Sequence, residues 1–162
     1  MTTDPDEHTA PPATSRPADI LLVEDSPSDA AMTVHALRES GARHRVHVVG
    51  DGEAALAFLY RRGRYAAAPR PDLILLDLNL PRIDGRDVLA TIKTDERLRG
   101  IPVVILTTSS TDTDILRAYH SGANCYVSKP IGLDDFLRAI SGIERLWLNP
   151  TRLPQEFPNG IP

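Results

Sequence analysis

The chain has 162 residues, a length that suits a single domain with a sizeable core. Its 41% hydrophobic and 25% charged residues are typical of a globular protein, and no apolar run approaches the roughly 20 residues of a membrane-spanning helix. The net charge of -4 argues against nucleic acid as the main partner, and the single cysteine, Cys125, excludes an internal disulfide or a cysteine-rich zinc site.

The two ends of the chain differ in composition from its middle. Residues 1–17 are acidic, polar and rich in proline, which predicts a disordered N-terminal arm. This composition is unlike that of a signal or transit peptide, so a cytoplasmic protein is expected. In residues 149–162, prolines recur at every fourth position, which excludes a helix and predicts an extended tail. The apolar residues of this tail either remain in solvent or dock on the last helix or on a partner.

Short apolar runs alternate with amphipathic segments between the arm and the tail, over residues 18–148. The apolar runs predict strands at residues 19–23, 45–49, 72–76, 102–106 and 125–128. The segments that follow them predict helices over residues 27–41, 51–63, 86–98, 112–121 and 133–148. Such alternation predicts an α/β fold, with a parallel five-stranded sheet covered by helices on both faces. For a domain of this size we expect the flavodoxin-like strand order 2-1-3-4-5.

Polar side chains follow the predicted strands at their carboxyl ends, the edge where open parallel sheets bind ligands. In chain order these residues are Glu24, Asp25, Asp77, Thr107 and Lys129. On the predicted strand order, all five side chains meet in one crevice. Clustered carboxylates repel each other unless a cation joins them, and a ligand set made only of oxygen favours a hard ion such as Mg²⁺.

A phosphoryl group is the ligand that this crevice suits best. Magnesium beside a lysine and a threonine hydroxyl can hold a phosphoryl group, and a nearby carboxylate can be its covalent acceptor. Asp77 is the best-placed acceptor, because it ends the central strand behind the apolar run LILL. Asp25 alone could simply cap the helix that begins near Pro27, but helix capping does not explain five such side chains at strand ends.

Four segments of the chain carry a resemblance to a known family: LLVEDS, DLILLDLNLPRIDG, VVILTTS and YVSKP. In order and spacing they resemble the receiver domain of bacterial two-component response regulators. Thr107 lies 30 positions after Asp77, and Lys129 lies 22 positions after Thr107, as the receiver pattern requires. The resemblance spans roughly residues 18–147, nearly all of the segment predicted to be folded.

The resemblance implies a phosphoacceptor protein that depends on a metal ion. Asp77 would accept the phosphoryl group from the phosphohistidine of a sensor histidine kinase. Mg²⁺ would be held by Asp25, by Asp77 and by the backbone carbonyl of Asn79, with Glu24 acting through a bound water molecule.

The resemblance also implies roles for residues around the acceptor. Thr107 and Lys129 would bind the phosphoryl oxygens, and Tyr126 would be an aromatic switch that turns inward as the threonine moves. Three further residues would shape the neighbouring loops: Pro81, Gly85 and Pro130. The peptide bond between Lys129 and the proline after it would be cis.

A finer resemblance is to the stand-alone receivers that serve phytochrome-type histidine kinases, the cyanobacterial phytochrome response regulators. It rests on the stretches YRRGRYAAAPRPDLILLDLNLP, LTTSSTDTDI and ANCYVSKP, and on the ending LWL…LP. It implies a bacteriophytochrome as the partner kinase. It also implies a homodimer built on the fourth helix, fifth strand and fifth helix, with Trp147 near the interface.

Two other functions stay open from the residues alone. A phosphatase of the haloacid dehalogenase type also uses an aspartyl nucleophile and magnesium, but it needs a second aspartate two positions on, where this chain has Asn79. A nucleic-acid adaptor would use the arginine run that includes Arg61 and Arg70, although a charge run is usually a solvated face. Few residues follow the last predicted helix. We therefore expect output through a protein partner, a dimer or onward phosphotransfer, without direct DNA binding and without enzymatic turnover beyond autophosphatase activity.

Overall fold

The structure of the protein is a computed structural model that describes residues 16–40, 43–108 and 111–148. Residues 1–15 of the predicted disordered arm and all of the predicted tail, residues 149–162, lie outside the described residues. Both therefore stay predictions. Within the described ranges, no helix is both long enough and apolar enough to cross a bilayer.

Five strands and five α-helices alternate along the described chain, and a short 3₁₀ helix (Gly63–Tyr65) lies between the second helix and the third strand. The strands are β1 (Ala18–Val23), β2 (His44–Val49), β3 (Leu73–Leu76), β4 (Val103–Thr107) and β5 (Cys125–Ser128). The helices are α1 (Pro27–Glu39), α2 (Gly52–Leu59), α3 (Gly85–Thr94), α4 (Asp112–His120) and α5 (Leu133–Trp147). All strand pairs are parallel and the strand order is β2-β1-β3-β4-β5, which confirms the predicted fold.

The central strand β3 separates two hydrophobic cores. Its four residues are fully buried, and successive side chains point to opposite faces of the sheet. The first and third pack with residues of α1 and α5, such as Leu37 and Phe136. The second and fourth pack with residues of α2 and α3, such as Phe58 and Val88. Burial on both faces explains why the sequence of this strand is a continuous apolar run.

Helix α2 ends at Leu59, earlier than the predicted end at residue 63. Its last turn closes with backbone hydrogen bonds from Arg61 N to Phe58 O at 3.1 Å and from Arg62 N to Ala57 O at 2.9 Å. This is the Schellman arrangement, in which the residue after the cap is left-handed, and Arg61 has a φ of 54°. Because glycine is the usual residue at that position, the arginine is not a stop signal that can be read from the sequence.

Helix α3 also ends early, at Thr94, whereas the pattern predicted a helix to residue 98. The carboxylate of Asp95 accepts a hydrogen bond from Arg97 N at 2.8 Å and another from the Tyr60 hydroxyl at 2.6 Å. An aspartate side chain that binds the backbone two residues on competes with helical hydrogen bonding. The chain therefore leaves the helix at this aspartate and turns toward β4.

The described residues contain no cis peptide bond, so the bond between Lys129 and Pro130 is trans. The expectation of a cis bond was wrong. Before a proline, the trans form is intrinsically favoured by about 0.5–1 kcal/mol. The backbone N–H of Lys129 donates to Thr107 O at 2.8 Å, so pairing with β4 already directs the lysine toward the end of the sheet.

Gly85 begins α3 in close contact with the loop that leaves β3. A Cβ atom at this position would lie 2.2 Å from the carbonyl oxygen of Asp77 and 2.6 Å from the Cα atom of Leu78. Both neighbours are backbone atoms, which cannot rotate away as a side chain can. The amide of Gly85 also donates to Leu78 O at 3.0 Å. A glycine here therefore lets α3 pack directly beneath Asp77.

Replacing Gly85 with alanine should separate α3 from the end of β3. We expect Gly85→Ala to lower the free energy of unfolding by about 1–3 kcal/mol, the usual cost of overpacking a core. Urea unfolding followed by circular dichroism measures the change. The matched control is Gly142→Ala, since a Cβ at Gly142 would meet no atom within 4 Å. That variant should gain up to about 1 kcal/mol from helix propensity, and equal stability of the two variants would refute the role of close packing at Gly85.

Candidate functional site

Three acidic side chains meet at the carboxyl ends of β1 and β3. Glu24, Asp25 and Asp77 each offer an oxygen atom, and these atoms lie within 4.8 Å of one another. Strand pairing brings them together, since Val23 is opposite Leu76 and the acidic residues follow directly. Glu24 and Asp77 are buried and Asp25 is exposed. An all-oxygen group that is open to solvent on one side fits a hard divalent cation that keeps some of its water.

The ammonium group of Lys129 lies among carboxylates. Its Nζ is hydrogen-bonded to Glu24 Oε2, and it lies 3.1 Å from Asp29 Oδ2 and 3.1 Å from Asp77 Oδ2. Only 7% of the lysine side chain is exposed. Burial alone would lower the pKa of Lys129, but the hydrogen bond to Glu24 and the charge of Asp77 outweigh burial and raise the pKa. The lysine therefore stays charged and neutralises part of the acidic cluster.

The carboxyl group of Glu24 lies in surroundings that raise its pKa. Burial raises the pKa of Glu24 to about 7, although hydrogen bonds from Lys129 and from the backbone of Ser26 act in the opposite direction. The Ser26 amide donates to Glu24 Oε1 at 3.1 Å and holds the carboxylate in place. A carboxyl group of this kind suits an indirect role beside a cation better than the role of a nucleophile, which must stay ionised.

The carboxylate of Asp77 receives hydrogen bonds on both of its oxygen atoms. Oδ1 accepts from the Thr107 hydroxyl at 3.0 Å and from the backbone N–H of Asn79 at 3.0 Å. Oδ2 faces Lys129. Thr107 ends β4 and is fully buried, so its hydroxyl is held by the sheet. The donors that surround this carboxylate are of the kind that bind the oxygens of a phosphoryl group.

The structure brings together the five side chains that were predicted to meet at the strand ends, and the loop after β3 adds the backbone of Asn79. Tyr126 lies half-buried in β5 and packs against the core on the side of α2 and α3. Pro81 is exposed in the loop after β3, and Pro130 is partly exposed between β5 and α5.

Asp29 is a member of the site that the sequence reasoning missed. It lies in the first turn of α1, whose N-cap Ser26 accepts a hydrogen bond from the Asp29 amide. The side chain of Asp29 points to Lys129, a residue 100 positions away in sequence. Asp29 follows Asp25 by four residues, about one helical turn. This spacing could have indicated that the two carboxylates lie on the same side of the chain.

Comparisons with known proteins lead to the same family as the four motifs. Residues 20–141 match the family model described as response regulator receiver domain. The chain is 47% identical over 138 residues to response regulator Rcp1 of Synechocystis sp., an alignment that covers 85% of this chain and 94% of that relative.

Two solved structures are similar in sequence and in fold. The Mn(2+)-bound form of response regulator Rcp1 aligns with a TM-score of 0.80 at 47% identity, and the alignment covers 86% of this chain and 100% of that one. The phosphorylated cyanobacterial phytochrome response regulator RcpA also has a TM-score of 0.80 at 47% identity, with 86% of this chain and 99% of that one covered. The chain therefore belongs to the response regulator receiver domain family of two-component phosphorelay signalling.

Proposed function

We propose that Asp77 accepts a phosphoryl group from a sensor histidine kinase, with Mg²⁺ bound beside it. The observation that carries this proposal is the surroundings of the Asp77 carboxylate. A buried ammonium and a buried hydroxyl contact it, at 3.1 Å and 3.0 Å, and two further carboxylates supply oxygen atoms within 4.8 Å. A carboxylate in these surroundings can act as a nucleophile toward phosphorus. The same donors can then bind the phosphoryl group that it has accepted.

The transfer step needs a nucleophile and donors for the charge on the phosphoryl oxygens. A carboxylate oxygen of Asp77 forms the new bond to phosphorus as the bond from phosphorus to the histidine nitrogen breaks. Lys129 and Thr107 donate hydrogen bonds to the transferred phosphoryl oxygens. When bound, Mg²⁺ neutralises negative charge on the acceptor and on the phosphoryl group.

The residues available to hold Mg²⁺ are those of the acidic cluster. Asp25 and Asp77 would bind the ion directly, together with the backbone carbonyl of Asn79, and Glu24 would act through water. The all-oxygen donor set and the exposed edge at Asp25 support this assignment. The solved structure of Rcp1 is a Mn(2+)-bound form, and Mn²⁺ belongs to the same class of oxygen-binding ions as Mg²⁺.

The proposed kinase partner is a phytochrome-type histidine kinase. Support comes from solved relatives described as phytochrome or bacteriophytochrome response regulators, at 47% and 39% identity. Output is then carried by a protein partner or by onward phosphotransfer, without direct binding to DNA. Phosphotransfer from a purified bacteriophytochrome kinase, compared with transfer from a kinase that senses no light, tests this partner. Transfer at equal rates from both kinases would contradict it.

Replacing Asp77 with asparagine should abolish phosphorylation, because an amide oxygen is not a nucleophile of comparable strength. Wild-type protein incubated with acetyl phosphate and Mg²⁺ should shift on Phos-tag electrophoresis, and EDTA should remove the shift. The control is Asp87→Asn, an exposed acid on α3 that should leave the shift unchanged. A shift that persists in Asp77→Asn would refute the assignment of the acceptor.

Replacing Lys129 with arginine should slow phosphorylation although the charge is kept. The planar guanidinium cannot direct three donors to Glu24, Asp29 and Asp77 as the ammonium does. Losing one charge-assisted hydrogen bond, about 1.5–3 kcal/mol, corresponds to a rate roughly tenfold to hundredfold lower. The rate is measured with acetyl phosphate and Mg²⁺. The matched control is Lys93→Arg at the opposite end of the sheet, which should be phosphorylated normally, and an unchanged rate in Lys129→Arg would contradict the proposed role.

We also infer a homodimer through α4, β5 and α5. The support in the structure is a set of large apolar side chains exposed on these elements or beside them. Leu116 and Tyr119 of α4 are 60% and 49% exposed, and Ile131 and Leu133 near the start of α5 are also exposed. Covering these side chains would remove apolar surface from water, which favours association.

Charged residues on this face should weaken the dimer without unfolding the protomer. We expect Leu116→Glu together with Tyr119→Glu to raise the dissociation constant roughly tenfold or more, a change of about 1.4 kcal/mol. Sedimentation velocity over a range of concentrations measures it. Met32→Glu, on the exposed side of α1, is the control and should dimerise normally. Equal association of all three proteins, or a wild type that stays monomeric, would exclude this interface.

A further inference from the structure

The ammonium group of Lys129 has more acidic partners than the binding of a phosphoryl group requires. It is hydrogen-bonded to Glu24 Oε2, and it lies 3.1 Å from Asp29 Oδ2 and 3.1 Å from Asp77 Oδ2. An ammonium has three N–H donors, so these three carboxylates occupy all of them. A phosphoryl group added to Asp77 can take over the donor that is directed to that carboxylate. Any second donor must be released by Glu24 or by Asp29.

Burial distinguishes the two partners that could release the lysine. The Glu24 side chain is 2% exposed, and its other oxygen accepts a hydrogen bond from the Ser26 amide at 3.1 Å. Separating a buried charge pair is costly, so Glu24 keeps its contact. The Asp29 side chain is 35% exposed, and water can solvate its carboxylate when the lysine leaves. An ion pair with a partly exposed partner costs less to break, so the contact with Asp29 is the one that gives way.

The backbone of Asp29 is held in place although its carboxylate can turn. The Asp29 amide donates to Ser26 Oγ at 3.3 Å, and its carbonyl oxygen accepts from the hydroxyl of Thr33 at 2.9 Å. Thr33 is fully buried, which anchors this turn of α1 against the rest of the protein. The Asp29 carboxylate therefore stays near Lys129 whether or not the two groups are paired.

A carboxylate at this position opposes negative charge on a phosphoryl group. Two acceptors of one ammonium lie at most about 6 Å apart, because each is about 3 Å from the nitrogen. A like charge within about 4–6 Å disfavours an ionised group. A phosphoryl group also carries more negative charge than the carboxylate to which it is added. Asp29 therefore stabilises the unphosphorylated arrangement of Lys129 relative to the phosphorylated one.

We propose that Asp29 is a positioning residue that competes with the phosphoryl group for Lys129 and so weakens phosphoryl binding at Asp77. Asp29 acts through the lysine and through its own charge. The inference rests on the proposed function of Asp77 as the phosphoacceptor. It adds a residue of α1 whose side chain sets how strongly the site retains its phosphoryl group.

The affinity for beryllium trifluoride, measured by ¹⁹F NMR, tests this competition. This anion completes its tetrahedral coordination with a carboxylate oxygen and thus imitates a phosphoryl group. The Mg²⁺ concentration is set so high that doubling it changes nothing. Because a nearby charge commonly changes an ionisation equilibrium tenfold or more, we expect Asp29→Asn to bind the anion roughly tenfold more tightly than the wild type.

Two further variants separate competition for the lysine from a structural role of Asp29. Asp29→Glu keeps the charge on a longer side chain and should restore the affinity of the wild type. Asp87→Asn is the matched control, since Asp87 is an exposed acid in the first turn of α3, as Asp29 is an acid in the first turn of α1. This control should bind the anion with the affinity of the wild type.

The ammonium signals of the lysines give a direct spectroscopic readout. The chain has only two lysines, so ¹⁵N–¹H spectra of the side chains contain Lys129 and, as an internal reference, Lys93. Without beryllium trifluoride, Asp29→Asn should shift the signal of Lys129 and leave that of Lys93 unchanged. With the anion bound, the Lys129 signals of the wild type and of Asp29→Asn should converge, because the contact with residue 29 is then released in both.

The possible results separate this proposal from the assignment of the acceptor. Wild-type protein that fails to bind the anion, or Asp77→Asn that binds it undiminished, would overturn both. If Asp77→Asn abolishes binding but Asp29→Asn binds no more tightly than the wild type, the acceptor stands and the competition is refuted. Weaker binding by Asp29→Asn would refute it as well, since Asp29 would then aim the lysine at the phosphoryl group. Lys129 signals that stay apart with the anion bound would also contradict the release of Asp29.

Discussion

The acidic end of the sheet depends on one buried ammonium group that faces three carboxylates. Glu24 and Asp77 are buried side by side, and without a cation they would repel each other in a medium that screens charge poorly. Lys129 supplies that cation. Its position follows from parallel pairing, because Thr107 is opposite Ser128 and the lysine comes next. Breaking a buried charge pair costs about 3–5 kcal/mol. The lysine therefore stabilises the acidic cluster in addition to its proposed role in binding the phosphoryl group.

Both lysines of the chain occupy sites where three acceptors converge, although all the other basic residues are arginine. Lys93 Nζ lies 3.2 Å from Arg99 O, 2.9 Å from Ile101 O and 3.1 Å from Asn124 Oδ1. An ammonium has three donors around one atom, whereas a guanidinium spreads its donors in a plane. Lys93 thus hydrogen-bonds to the segments that precede β4 and β5. Lys129 binds carboxylates at the carboxyl end of the sheet. A rare residue type in this chain marks a particular coordination geometry.

The sequence predicted the parts of the structure that depend on periodicity and on strand ends. Apolar runs located every strand, and the strand ends located the residues around Asp77. Asp29 was missed because its approach to Lys129 depends on how α1 packs beside α5, which the hydrophobic pattern does not define. The early ends of α2 and α3 were missed for local reasons. An arginine occupies a glycine position in one turn, and the Asp95 side chain replaces helical hydrogen bonds in the other.

Strand β3 defines the positions of both ends of the molecule. Asp72, which pairs with Arg16, precedes it and Asp77 of the acidic cluster follows it, with four fully buried residues between them. A strand packed on both faces cannot slide without disturbing two close-packed cores, so it holds the two ends of the sheet at a fixed separation.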